Sequence, residues 1–137
     1  KLNIKNISFS GEVSGESKKK KFIENDIFIL PSKSENFGLV IAEALSYGMP
    51  VIASENTPWK IIEQKNCGWI VKLTEENLIS TLNVAKNLSP IILKEMGDSG
   101  RSLVKTKYSW NKLNVKYTKY YNWLTTGGEA PEFVDLF

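Results

Sequence analysis

The chain has 137 residues, 42% hydrophobic and 24% charged, with a net charge of +3, the balance of an ordinary globular protein of about one domain. Its lone arginine, Arg101, and modest charge argue against a dedicated nucleic-acid binder. The absence of histidine and the single cysteine, Cys67, exclude His-based triads, His metal sites and an internal disulfide, and fit a reducing compartment.

Residues 4–9 read as a strand, followed by a glycine loop from Gly11 to Gly15. Residues 18–25 predict a helix anchored by Phe22 and Ile23, with the run Lys18 to Lys21 as its solvated start. Asp26 to Pro31 is a continuous apolar run stopped by proline. At that length it suits a strand buried on both faces, as in parallel sheets. A polar loop over 32–36 leads into a helix over 37–47 that ends at Gly48. Residues 50–54 are the next strand, 58–63 a short helix opened by Pro58, and 68–71 a last short strand. Beyond Val71 only helices are predicted, over 75–88, 90–108 and 110–124, the second interrupted around Gly97 and Gly100. The tail, 125–137, is expected to be extended or loosely docked. No apolar run is long enough for a membrane span, and no leader is visible at the first residues.

Alternating strands and helices up to Val71 imply an α/β fold with a Rossmann-like parallel sheet, flanking helices and an all-helical C-terminal part. The count of about four strands is small for a doubly wound sheet of five or six. Either the sheet is small or the chain lacks its beginning.

The stretch Pro31 to Leu45 carries the chemistry. Ligands of open α/β sheets bind beyond the carboxyl ends of the strands, where the loop over 32–36 should lie. The N–H groups of Phe37, Gly38 and Leu39 would be first-turn donors suited to a phosphate. Ionised Glu35 and Glu43 are acceptor-only groups, and each can take two hydroxyls of a vicinal diol. Read alone, they could equally be a dipole-complementing carboxylate and an exposed helix residue.

Glu35 and Glu43 form E-x7-E within P-S-x-x-E-N-F-G-L-V-I-A-E-A-L, followed by Tyr47-Gly48-Met49-Pro50-Val51-Ile52-Ala53. This run resembles the C-terminal, donor-binding half of a retaining glycosyltransferase of family 4, of GT-B architecture. Ile7 to Val13, Thr57 to Lys60, Asn66 to Val71 and Tyr108 to Trp110 extend the resemblance over about residues 4 to 124. It implies a nucleotide-sugar-binding domain over 1–124 and a tail over 125–137. It implies that Glu35 contacts the donor sugar as the catalytic-site carboxylate and that Glu43 binds the nucleotide ribose. It also implies that Phe37, Gly38 and Leu39 meet the donor with their backbone N–H groups, that Asn36 lines the loop, and that Val13 and its neighbours contact the base. The donor would be a UDP-, GDP- or ADP-sugar and the acceptor a sugar or lipid-linked sugar, in bacterial surface polysaccharide or lipopolysaccharide synthesis. No metal and no cofactor are expected. The resemblance implies a cytoplasmic protein, peripheral at the inner face of the membrane where the acceptor is lipid-linked.

Two departures stand out. Nothing matches the family's phosphate-neutralising Arg/Lys pair, nor do Lys18 to Lys21, and the acceptor domain that the resemblance implies is expected to lie outside these residues. Ile61 stands where the family often has a glutamate. The chain alone is therefore expected to be inactive. Missing central strands would leave an apolar edge near 27–30, to be closed by residues 4–9 or by a second chain.

The remaining aromatics have plainer readings. Trp59 is expected to pack at a helix start, with stacking on a sugar as the alternative. Trp69 is expected in the core. Trp110, Tyr117, Tyr120, Tyr121 and Trp123 are expected to form a docking face, and Cys67 to be a small structural residue. The alternative functions are a stand-alone nucleotide- or sugar-phosphate-binding module without transfer chemistry, and an interaction domain that has lost its ligand.

Overall fold

The parallel sheet is built on the most apolar stretch of the chain. A computed structural model describes residues 6–135, and its elements in chain order are α1 (Gly15–Ile23), β1 (Phe28–Leu30), α2 (Leu39–Ser46), β2 (Val51–Ser54), α3 (Ile61–Gln64), β3 (Gly68–Val71), α4 (Glu75–Lys86), α5 (Pro90–Lys107) and α6 (Trp110–Thr126). The strands are parallel in the order β1-β2-β3. Phe28 is in register with Val51, and Val51 with Gly68.

Alternation along β2 sends its side chains into two separate cores. Val51 and Ala53 join Phe22 of α1, Ile41, Ala44 and Leu45 of α2, Ile62 of α3 and Leu103 of α5. Ile52 joins Val71 and Ala85 on the other face, with Trp69, Leu78 and Leu82 packed alongside. Helices thus cover both faces of the sheet, and the expected α/β Rossmann-like class is the observed one.

Several expectations are corrected. Ile4 and Lys5 of the first expected strand lie outside the described residues. Residues 7–10 are not a strand. Ile7 and Phe9 are 55% and 95% exposed, so among the described residues they bury no face and pair with no strand. The run before Pro31 is not buried on both faces. With a neighbour only on the β2 side among the described residues, β1 is an edge strand, and its Ile29 is exposed. The fully buried strand is the central one, β2.

The expected break at Gly97 and Gly100 does not occur, since α5 runs unbroken for 18 residues. Both glycines are buried because α5 crosses α2 there. A Cβ on Gly97 would collide with the Gly48 carbonyl oxygen, and one on Gly100 would press on Leu45. Helix α6 buries none of its residues. Trp110, Tyr117 and Tyr121 are exposed, so among the described residues the expected docking face has no partner helix or strand buried against it. Tyr117 and Tyr121 instead stack on each other at the surface, with ring centroids 6.4 Å apart. The following residues fold back on α6. The Gly128 carbonyl accepts from the Trp123 indole at 3.2 Å, and Lys116 lies over the Phe133 ring.

Candidate functional site

Two loops leave the carboxyl ends of β1 and β2, and side chains tie them together. Buried Ser54, the last residue of β2, donates its hydroxyl to the Ser32 carbonyl. Ser32 in turn donates to the Ser34 carbonyl at 2.9 Å, and Thr57 donates to the Ser54 carbonyl at 2.8 Å. Further along, the indole N–H of Trp59 donates to the Phe37 carbonyl. Trp59 is only 1% exposed. Its ring sits against both Phe37 and Tyr108, with centroids 5.2 and 5.0 Å away. The packing reading of Trp59 is the observed one, for a residue so buried presents no face to a sugar.

That hydrogen bond has a consequence for the next peptide. All described peptides are trans, and a trans peptide points its N–H opposite its C=O. Holding the Phe37 carbonyl against Trp59 therefore turns the Gly38 N–H away from that indole, on a glycine that is itself buried. Gly38 sits in the left-handed region, at φ 71° and ψ 56°, and forms the N-terminal boundary of α2. No described group accepts from the N–H groups of Phe37, Gly38 or Leu39. Three donors at the positive end of a helix dipole remain available.

Glu43 lies one turn inside α2 and is not a free surface carboxylate. Both its oxygens accept from the Lys18 ammonium of α1, each at 2.7 Å. The two side chains are 36% and 34% exposed, so water still reaches the pair and its contribution to stability is modest. The pair borders a cavity of about 390 Å³ lined by Val13, Ser14, Gly15, Lys18, Glu43 and Tyr47, among others. Such a volume is within the range of small-molecule sites.

The structure brings Val13 and Glu43 together around this cavity. Glu35, Asn36, Phe37, Gly38 and Leu39 do not line it. They occupy the loop before α2, where Glu35 is half-buried and Asn36, Phe37 and Leu39 are exposed. Glu35 makes no ion pair with the described residues. Sequence reasoning missed Lys18. Nothing local distinguishes it from the three lysines that follow, and its partner is 25 positions away. The single arginine is committed elsewhere: Arg101 donates to the Tyr47 carbonyl at 2.8 Å and pairs with Asp98, closing the C-terminal end of α2.

Among the described residues no three His, Cys, Asp or Glu side chains cluster as a metal site. No helix among the described residues is long and apolar enough to cross a membrane. Cys67 is buried, its thiol donates to the Ile62 carbonyl, and burial pushes its pKa up to about 11. It is therefore a neutral packing residue, as expected. The site as a whole offers an acceptor carboxylate, neighbouring ammonium groups and N–H groups that lack an acceptor among the described residues. That is the equipment for holding a ligand with both hydroxyls and anionic oxygens.

Comparison with known proteins identifies the family of the chain. The family model described as "Glycosyl transferases group 1" matches residues 1–100. A 41.2 kDa protein in the cps region of Klebsiella pneumoniae is 35% identical over 81 residues, covering 58% of this chain and 22% of that protein. The O-antigen biosynthesis glycosyltransferase WclY of Escherichia coli is 28% identical over 99 residues, 71% of this chain and 26% of its own length. Sucrose-phosphate synthase from Thermosynechococcus elongatus superposes with a TM-score of 0.79 at 24% identity, over 88% of this chain and 31% of that one. The chain thus spans roughly a quarter of the length of these two curated relatives.

Proposed function

The chain belongs to the group 1 glycosyl transferases, and on that premise we propose that it is the donor-binding part of a retaining, family 4 enzyme of GT-B architecture. The donor is a nucleotide-sugar, with UDP, GDP or ADP as its nucleotide. Glu43 accepts the ribose hydroxyls and Val13 borders the base. The N–H groups of Phe37, Gly38 and Leu39 meet the diphosphate beside Asn36. Glu35 holds hydroxyls of the transferred sugar. The acceptor is a sugar or lipid-linked sugar of a bacterial surface polysaccharide, met in the cytoplasm at the inner face of the membrane. One observation carries the reading: Val13 and Glu43, 30 positions apart in sequence, line a single cavity of about 390 Å³. Among the described residues the cavity is walled by α1, the residues before it, Glu43 of α2 and Tyr47 just after α2, so a further N-terminal domain would supply the other wall. For that reason the isolated chain binds donor without transferring sugar.

The test is a titration of this chain with UDP, GDP and ADP and their glucose conjugates, followed by ligand-observed NMR. Binding of one nucleotide, lost in Glu43→Ala with the melting curve preserved, is the expected result. Binding indifferent to Glu43→Ala overturns the site. Robust sugar transfer or donor hydrolysis by the chain alone overturns the proposed inactivity. Binding without transfer in a longer chain as well would favour the second reading, a nucleotide-binding module, which the one-sided cavity also suits.

A further inference from the structure

The carboxylate assigned to a ligand's diol is already occupied. Both Glu43 oxygens accept from Lys18 at 2.7 Å. A diol approaching that carboxylate must compete with an ammonium ion for the same lone pairs. The Lys18 ammonium also lies 5.9 Å from the centre of the Phe22 ring, so its position is held from two sides. Lys19 lines the same cavity. Its own partner, Glu16, is 3.4 Å away and 89% exposed, a pair that water largely screens. Two lysines against one glutamate leave the cavity wall positive.

We propose that Lys18 is a specificity-determining residue: it penalises neutral diols at Glu43 and favours ligands that also carry an anionic group. A neutral nucleoside or free sugar displaces Lys18 and leaves the ammonium with nothing in exchange. A nucleotide displaces it and supplies anionic oxygens as a new partner. This rests on the preceding reading of Glu43 and deepens it by naming the class of ligand the site rejects.

The experiment compares uridine, guanosine and adenosine with their 5′-diphosphates on the wild-type chain and on Lys18→Met, which keeps the apolar stem against Phe22. Removing the competitor should tighten nucleoside binding about two- to fivefold, the scale of a partly exposed ion pair. Diphosphate binding should stay level or weaken, so the preference for the anionic ligand shrinks. An unchanged preference overturns the proposal. If diphosphate binding is meanwhile lost in Glu43→Ala, the donor-site reading survives without it. No binding of any of these ligands to the wild-type chain overturns both. A second readout needs no Lys18 variant. The Lys18 ε-methylene resonance should move on saturation with the diphosphate that binds, as the ammonium exchanges the Glu43 carboxylate for phosphate oxygens. A resonance that stays in place while signals from α2 shift would count against displacement.

Discussion

Gly38 is the residue on which the loop before α2 turns. Its φ of 71° lies where an L-residue is strained by about 1–2 kcal/mol. A Cβ there would stand 3.4 Å from Ile41 and 3.5 Å from Trp59, contacts that add little. Backbone strain therefore decides the effect. Gly38→Ala should lower stability by about 1–2 kcal/mol in denaturant titration and should weaken nucleotide binding further, because relieving the strain rotates the N–H donors. Cys67 makes a different prediction. Burial raises its thiol from 9.0 to about 11, so the folded chain keeps a proton that the unfolded chain loses. The stability linked to it is fully present below pH 9.0 and is lost as pH rises through about 11. Denaturant titrations between pH 8 and 11 should show a steeper decline for the wild type than for Cys67→Ala. Equal slopes would mean that the thiol is not held in its neutral form.

At the scale of elements, the crossing of α5 over α2 sets the sign of a substitution. Alanine for glycine inside an exposed helix ordinarily stabilises by about 1 kcal/mol. At Gly97 the new Cβ meets the backbone carbonyl of Gly48, which has no rotamer to escape into. Overpacking of this kind costs about 1–3 kcal/mol or more, so Gly97→Ala should destabilise. Gly100→Ala, which meets the movable end of Leu45, should cost less. Thermal melts of the two variants check the order. The same crossing explains what was hidden in the sequence. Glycines inside a helical pattern look like breaks, whereas here they are the flat surface on which two helices approach. β3 was legible to the residue, over 68–71, because Gly68 and the apolar run after it agree with the strand they form. The strand over residues 4–9 was misread across its described part because Ile7 and Phe9 supply β-forming side chains but no described surface receives them. For the candidate site, Glu35 and Glu43 were visible as a spacing. The Lys18–Glu43 pair was not, since only the packing of α1 beside α2 brings it together.

At the scale of the whole molecule, the sheet is asymmetric. The Phe28 N–H donates to the Pro50 carbonyl of the β2 side. Alternation along the strand then turns the N–H and C=O of Ile29 to the open side, where no described strand pairs with them. Such an edge invites another chain. We expect association that rises with concentration in light scattering and is suppressed by Ile29→Pro, which removes the outward donor where edge strands tolerate proline. A wild-type monomer at the highest soluble concentration would contradict this. The four tryptophans are just as unevenly distributed. Trp110 is 74% exposed and Trp59 1%, while Trp69 and Trp123 are half-buried. Trp59 touches the loop before α2, through the Phe37 carbonyl and ring. Its fluorescence should form the blue edge of the emission band and that of Trp110 the red edge. A ligand seated against Phe37 to Leu39 should then change the blue edge and leave the red one still, giving the chain an optical report on its own loop without any added label.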